Sequence, residues 1–207
     1  MGKQSIKNHQ MQRIMRKTIC IFTFLLLSIG STYGQNIKQL YSTNLDFYVG
    51  TWRYTNTATN EEFTVNLRKT VFISSSLDSD LDMISEECIV GAYIYKKNGV
   101  VVLDNMDEFM NDISDEDVWI PVYASNANET ASAVNPNKLW TTVEDYGILY
   151  PSSAHPKSGM GTITIVSEAN PKQIHWTLKD FEGARIAGHS PPLGFSIPTD
   201  IILTKVE

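Results

Sequence analysis

The carboxylates best suited to bind an ion are Asp78, Asp80 and Asp82, which occupy alternate positions in the chain. A calcium-binding loop begins with oxygen ligands at this spacing, because they can surround one cation. The rest of such a loop is missing, since Met83 stands where the loop needs glycine and Ile89 where it needs glutamate. The three aspartates are therefore a weak calcium candidate, and the alternative is a solvated acidic segment.

No group of residues in the sequence predicts catalysis. The histidines after residue 34 are His155, His175 and His189, and no two have the spacing that places two imidazoles on one metal ion. The sequence also lacks a Gly-x-Ser-x-Gly motif and a glycine-rich phosphate-binding loop. We therefore expect a protein that is not an enzyme and has no cofactor. An enzyme with a site assembled from distant loops is the third alternative for function.

Aromatic residues in the middle of the chain are the best candidates for contact with a ligand. We interpret Trp119, Tyr123 and Trp140, together with Trp176 of a later segment, as ligand-binding residues. The alternative is that these side chains fill a core, because aromatic residues bury large apolar areas. If they do line a cavity, a small hydrophobic molecule is the expected ligand.

The elements that must position these residues are mainly strands. Residues 62–68 alternate apolar and polar side chains, which is the period of a half-buried strand. Asn98-Gly99 lies between two apolar runs and predicts a hairpin, because both residues tolerate positive φ. A second hairpin is predicted around residues 169–172, and a last strand over 198–205.

Helix is scarce, and the sequence has no linker that would divide the chain. Residues 38–49 predict either a short helix or a covering segment, while residues 104–117 and 124–158 predict two long loops. Short strands joined by hairpins favour an antiparallel barrel or a sandwich. We therefore expect residues 35–207 to form a single all-β domain.

The first 34 residues predict export. Basic residues precede the apolar run 18–29, and the small residues Thr32 and Gly34 precede Gln35. This order is typical of a secretory signal peptide, which we assign to residues 1–34. The run is shorter than the roughly 20 apolar residues that cross a bilayer, so we expect no membrane span. The predicted location is secreted, either periplasmic or extracellular.

Cleavage after residue 34 would leave an acidic chain with one cysteine. The removed segment holds five basic residues and no acid, so all 23 Asp and Glu residues follow it. Because such a surface repels phosphate, we expect no binding of nucleic acid. Cleavage also removes Cys20 and leaves Cys88 in an apolar, strand-like run. We interpret Cys88 as a small buried hydrophobic residue, the alternative being a reactive thiol.

Three motifs, together with the predicted signal peptide that ends in Gly34-Gln35, carry a resemblance to a known family. They are Leu45-Asp-Phe-Tyr-Val-Gly-Thr-Trp52, Ile89-Val-Gly-Ala-Tyr93 and the final Pro198-x-x-Ile-x-Leu-Thr-Lys205. Together they resemble a family of uncharacterised, secreted, lipocalin-like proteins of Bacteroidota. The resemblance covers most of residues 35–207 and implies a single antiparallel lipocalin-like β-barrel with long loops and little helix. It implies no activity.

Within that resemblance Gly50-x-Trp52 is the structural signature. It implies that Trp52 plugs the closed end of the barrel and that Gly50 permits the chain to bend there. The last strand departs from the lipocalin pattern, because an arginine stacks on this tryptophan in many lipocalins and the strand here offers only Lys205.

Two functional hypotheses follow from the predicted barrel. The first is a secreted binding protein that holds a small apolar ligand in a barrel cavity. The alternative is a structural or interaction protein of the cell envelope, with a filled barrel that works through its loops. The sequence does not identify a protein partner for the second hypothesis. An empty interior would favour the first hypothesis and a filled one the second.

Overall fold

The structure is a computed structural model that describes residues 37–75, 83–106, 120–149, 155–180 and 194–206, and these residues form ten strands. The strands are β1 Ile37–Gln39, β2 Gly50–Asn56, β3 Glu61–Ser75, β4 Met83–Lys97, β5 Val100–Asp104, β6 Val122–Ser125, β7 Lys138–Leu149, β8 Pro156–Ser167, β9 Gln173–Asp180 and β10 Asp200–Val206. A short helix, α1, spans Leu45–Tyr48, and a 3-10 turn spans Ala131–Ala133.

Eight of the strands close into an antiparallel barrel. The order around the ring is β4, β3, β2, β10, β9, β8, β7 and β6, and β6 pairs with β4 to close it. The strands β1 and β5 also pair with β4 but lie outside this ring. The predicted all-β, lipocalin-like barrel is thereby confirmed, and the sandwich alternative is wrong.

The barrel belongs to one compact unit of the chain, formed by Lys38–Ser75 and Ile84–Glu207. A second unit comprises Met1–Ile37 and Ser76–Met83. Of this second unit the structure describes only its two boundary residues, so the predicted signal peptide at residues 1–34 lies outside the described residues.

Both predicted hairpins are confirmed. Asn98 and Gly99 form the turn between β4 and β5, with φ values of 54° and 74°. Positive φ at both positions is what a two-residue hairpin turn requires, which explains the Asn-Gly pair. The second hairpin joins β8 to β9 across residues 168–172.

One predicted loop is wrong. Residues 124–158 contain the twelve-residue strand β7 as well as the start of β8. The inward positions of β7 include Thr141 and Asp145, which are polar and nevertheless buried, so the apolar alternation that marks a strand is interrupted there. Residues 38–49 hold the short helix α1, as one of the two alternatives predicted.

The strand β4 is buried on both of its faces. Its inward residues Ile89 and Tyr93 join the main core, while Cys88 and Val90 on the opposite face are also fully buried. The second face packs against three partly buried residues, Met106, Ile120 and Tyr123. Burial on both faces explains why this stretch is a continuous apolar run, and it confirms that Cys88 is a buried side chain.

Candidate functional site

The aromatic candidates lie on two different sides of the barrel wall. Trp176 on β9 is fully buried inside the barrel. Tyr123 and Trp140 lie on the outer face of β6 and β7, as diagonal neighbours, because Tyr123 pairs with Thr142 and Ser125 with Trp140. Trp140 is 64% exposed there. The fourth candidate, Trp119, lies outside the described residues.

Aromatic rings from three strands, β3, β4 and β9, meet inside the barrel. The ring centroids of Phe63 and Trp176 are 5.6 Å apart, and those of Phe63 and Tyr93 are 5.5 Å apart. Around the ring, the strands β2 and β10 lie between β3 and β9. The contact between Phe63 and Trp176 therefore crosses the interior. These contacts fill part of the space that a ligand would need.

The indole of Trp176 carries a buried donor that lacks an acceptor. Its Nε1 makes no hydrogen bond with any described residue. Trp52, which is also fully buried, donates its indole N–H to the carbonyl oxygen of Tyr48 at 2.7 Å. A buried donor without an acceptor costs about 1–3 kcal/mol, so such groups are rare in native proteins. Among the described residues the side-chain amide of Asn105 also has a buried N–H without an acceptor, but the Trp176 N–H belongs to a ring that contacts Phe63 in the main core.

The signature residues lie together at one end of the barrel, which we call the Trp52 end. Trp52 pairs with Lys205 across β2 and β10, and the ammonium of Lys205 lies 5.3 Å from the ring centroid of Trp52. Gly50 has a φ of 124°, and a Cβ there would lie 3.0 Å from Cε of Lys205. Both the backbone conformation and the close approach of Lys205 therefore favour glycine at position 50.

The opposite end of the barrel, which we call the mouth, contains a buried polar group that sequence analysis missed. Asp145 on β7 and Lys157 on β8 are 0% and 1% exposed. Asp145 accepts hydrogen bonds from the backbone N–H of Ser196, at 2.5 Å, and from the Ser196 hydroxyl. Lys157 donates to the carbonyl oxygen of Gly194 at 2.6 Å and pairs with Asp180. The bonds to Ser196 and Gly194 attach the segment before β10 to the inner side of β7 and β8.

A sequence signal for this group was present but ambiguous. Asp145 is in phase with the inward residues Leu139 and Val143, and Lys157 is in phase with Ile163. A charged residue in the inward phase of a strand indicates a partner within the fold. Without the strand boundaries, however, both residues read as polar loop positions.

The outer face around Tyr123 forms a second polar and aromatic group. The Tyr123 hydroxyl donates to Glu86, and the Ser125 hydroxyl donates to the same carboxylate at 3.3 Å. Burial raises the pKa of Glu86, against the opposing effect of the Ser125 hydrogen bond. The ring of Tyr123 also contacts Phe72, with centroids 5.8 Å apart. The group therefore presents an aromatic ring on the outer face beside a carboxylate that accepts from two hydroxyls.

The calcium candidates Asp78, Asp80 and Asp82 lie outside the described residues. Among the residues that the structure does describe, no three His, Cys, Asp or Glu side chains are grouped so that they could hold a metal ion. In the same part of the chain, no helix is long and apolar enough to cross a membrane.

Comparison with known proteins identifies a family but no activity. The model of a family of unknown function, DUF6705, matches residues 15–206, and the chain belongs to that family. This match confirms the expectation that the chain belongs to an uncharacterised family. No curated protein and no solved structure matches the chain.

Proposed function

We propose that this member of a family of unknown function is an exported binding protein that holds a small apolar molecule inside its barrel. The observation that carries the proposal is the unpartnered indole N–H of Trp176. A ligand with one hydrogen-bond acceptor would satisfy this donor and remove the cost of leaving it buried. Export is supported by the order of residues 1–34.

The residues around Trp176 define the class of ligand. Trp176 pairs with Ile163 on β8 and with Ile201 on β10, and its ring contacts Phe63. All three neighbours are apolar, so a charged ligand would lose its hydration without gaining a counter-ion. The site therefore favours a neutral molecule with an apolar body and a single acceptor, such as a ketone, ester or ether oxygen. Binding requires the Phe63 and Trp176 rings to move apart, because their contact occupies part of the interior.

A neutral fluorescent ketone, 6-propionyl-2-dimethylaminonaphthalene, tests this site. We expect saturable binding of one dye per chain, with the blue-shifted emission typical of an apolar environment. Trp176→Phe keeps an aromatic ring but removes the donor, and it should weaken binding by about tenfold, which corresponds to 1.4 kcal/mol. Trp140→Phe on the outer face is the matched control and should bind like the parent. Unsaturable binding, or equal affinity in both variants, would contradict the proposal.

A second candidate function is supported by the contact between Phe63 and Trp176, whose ring centroids lie 5.6 Å apart across the interior. A barrel filled in this way would work through its outer surface and loops, as a structural or interaction protein of the cell envelope. Thermal unfolding separates the two candidates. A ligand at a hundred times its Kd stabilises the native state by about 2.7 kcal/mol. A filled barrel would show no such increase with the dye.

A further inference from the structure

We propose that residues 194–197, here called the mouth strap, are a gate that must move before a molecule can reach the barrel interior. The inference deepens the proposed function, on which it rests, because a gate serves a ligand that enters the barrel. Its movement can nevertheless be measured without any ligand.

Two buried charged side chains hold the mouth strap. In the described part of the chain, Asp145 and Lys157 are the only charged residues that are buried. Asp145 accepts from the backbone N–H and the hydroxyl of Ser196, and Lys157 donates to the carbonyl oxygen of Gly194. Both therefore bind the same four-residue segment. Hydrogen bonds to an ionised group are about twice as strong as neutral ones, so the strap is firmly held.

Two glycines of the barrel wall make room for the strap. A Cβ on Gly147 of β7 would overlap the hydroxyl of Ser196, and a Cβ on Gly159 of β8 would overlap the ring of Phe195. The strap thus occupies a recess formed by two neighbouring strands. Ile197, at its end, is 3% exposed and joins the main core. Residues 194–197 consequently cover the inner side of β7 and β8 at the mouth.

The chemistry of these contacts suits a closure that opens. A permanent plug needs no charge, because well-packed apolar residues often replace a buried ion pair with no loss of stability. Water can replace each polar bond of the strap when it moves outward, whereas the ladders between the barrel strands remain paired. Gly194 is the first residue of the segment and has a φ of 71°. Residues other than glycine rarely adopt this backbone conformation.

The test measures how fast a reagent reaches the interior. Ile163→Cys places a thiol beside Trp176, in a chain that begins at Gln35 and carries Cys88→Ala, so that neither native cysteine remains. Iodoacetamide labelling under native conditions is then followed by mass spectrometry. Ser196→Ala and Lys157→Met each remove one side-chain hydrogen bond that holds the strap. We expect each substitution to accelerate labelling about tenfold. Ile174→Cys provides a second interior thiol if the first variant does not fold.

Val65→Ala is the control for global unfolding. Val65 is buried on β3, away from the strap contacts, so its truncation lowers overall stability but leaves the strap attached. The two variants are compared under conditions in which their free energies of unfolding have fallen by the same amount. We then expect Val65→Ala to accelerate labelling less than Ser196→Ala does. Equal acceleration by Val65→Ala would mean that labelling follows global unfolding and would overturn the gate. Labelling rates in the strap variants that equal the parent rate would also overturn it.

The ketone dye distinguishes failure of the gate from failure of the proposed function. If the dye binds and the strap variants leave its association rate unchanged, the gate is wrong while interior binding stands. If the strap controls labelling but the dye never binds, interior binding is wrong and the strap remains a moving closure. Faster dye association in both strap variants supports both proposals.

Discussion

The ammonium of Lys205 lies 5.3 Å from the ring centroid of Trp52, directly across the pairing of the first and last strands of the ring. The lysine thereby occupies the position over the indole where the lipocalin pattern has an arginine. It also donates to the carbonyl oxygen of Phe47 at 3.4 Å. A second lysine, Lys172, lies 5.0 Å from the ring centroid of Phe47. The Trp52 end is therefore built from aromatic rings with cations over them.

Truncation of Trp52 should cause the largest loss of stability at this end. The side chain is fully buried and donates its indole N–H to Tyr48, so Trp52→Ala should lower the free energy of unfolding by about 3–5 kcal/mol. Urea unfolding measures this change. Trp140→Ala is the matched control, because that residue is 64% exposed and its loss should cost under about 1 kcal/mol. Equal effects of the two variants would contradict the role of Trp52 as a plug.

The cation over Trp52 should make a smaller contribution. Burial, followed by the neighbouring charge of Lys172, lowers the pKa of Lys205. The cost of burying this charge therefore offsets part of the stabilisation from its contact with the ring. We expect Lys205→Met, which keeps the apolar length of the side chain, to lower stability by about 0.5–1 kcal/mol. The exposed Lys179→Met should change stability by less than about 0.5 kcal/mol. Greater stability of Lys205→Met than of the parent would show that desolvation of the charge outweighs the ring contact.

The sequence predicted the strands whose inward residues are all apolar. Phe63, Val65 and Leu67 gave β3 a clear period of two, and Asn98-Gly99 marked the turn after β4. It failed for β7, because Asp145 faces inward and is stabilised by Ser196, which lies 51 residues later in the chain. A partner at that separation cannot be identified from local pattern. The buried charges of the mouth were missed for the same reason.

The sequence predicted aromatic candidate residues, but it did not predict where they lie relative to one another. Tyr123, Trp140 and Trp176 all lie on barrel strands, yet the sequence does not fix on which side of the wall each one falls. The face of the sheet on which a side chain lies depends on the register of its strand, and a shift of one residue moves the side chain to the other face. In the structure, Trp176 shares a face with the buried Ile163 and is itself fully buried, whereas Trp140 lies opposite Ser125 and is 64% exposed.

Export can be checked directly. The full chain, expressed in a bacterial host, should lose residues 1–34 on export, because Thr32 and Gly34 are the small residues that signal peptidase requires. N-terminal sequencing of the exported protein should begin at Gln35 or an adjacent residue. Replacing Gly34 with a bulky residue, Gly34→Leu, should slow cleavage. An exported chain that retains residues 18–29 would contradict the assignment.

Calcium binding should depend on the three alternating aspartates. If Asp78, Asp80 and Asp82 bind the ion, millimolar calcium should raise the midpoint of thermal unfolding, since a ligand of the native state stabilises it. The triple Asp→Asn variant should lose that increase. Magnesium at the same concentration controls for screening of the acidic surface. An equal increase in the variant, or with magnesium, would assign the effect to general charge screening.

The buried thiol of Cys88 should make stability fall at alkaline pH. Burial, with a further contribution from the charge of Glu86, raises the pKa of Cys88 to about 12. A thiol in the unfolded chain has a pKa of about 8.5. Between these two values the folded state holds the proton that the unfolded state has released. The stabilisation is therefore complete below about pH 8.5 and is lost, by about 1.4 kcal/mol per pH unit, as the pH rises towards 12.

Comparison with Cys88→Ala isolates this effect. Both proteins are compared as chains that begin at Gln35, so the variant has no thiol to titrate. Its small loss of packing is independent of pH, and the buried tyrosines titrate alike in both proteins. The free energy of unfolding of the parent, measured in urea, should thus fall relative to the variant by about 2 kcal/mol between pH 8 and pH 10. Parallel pH profiles for the two proteins would mean that the Cys88 thiol titrates in the folded barrel as it does in water, which its complete burial against Val90 and Ala92 argues against.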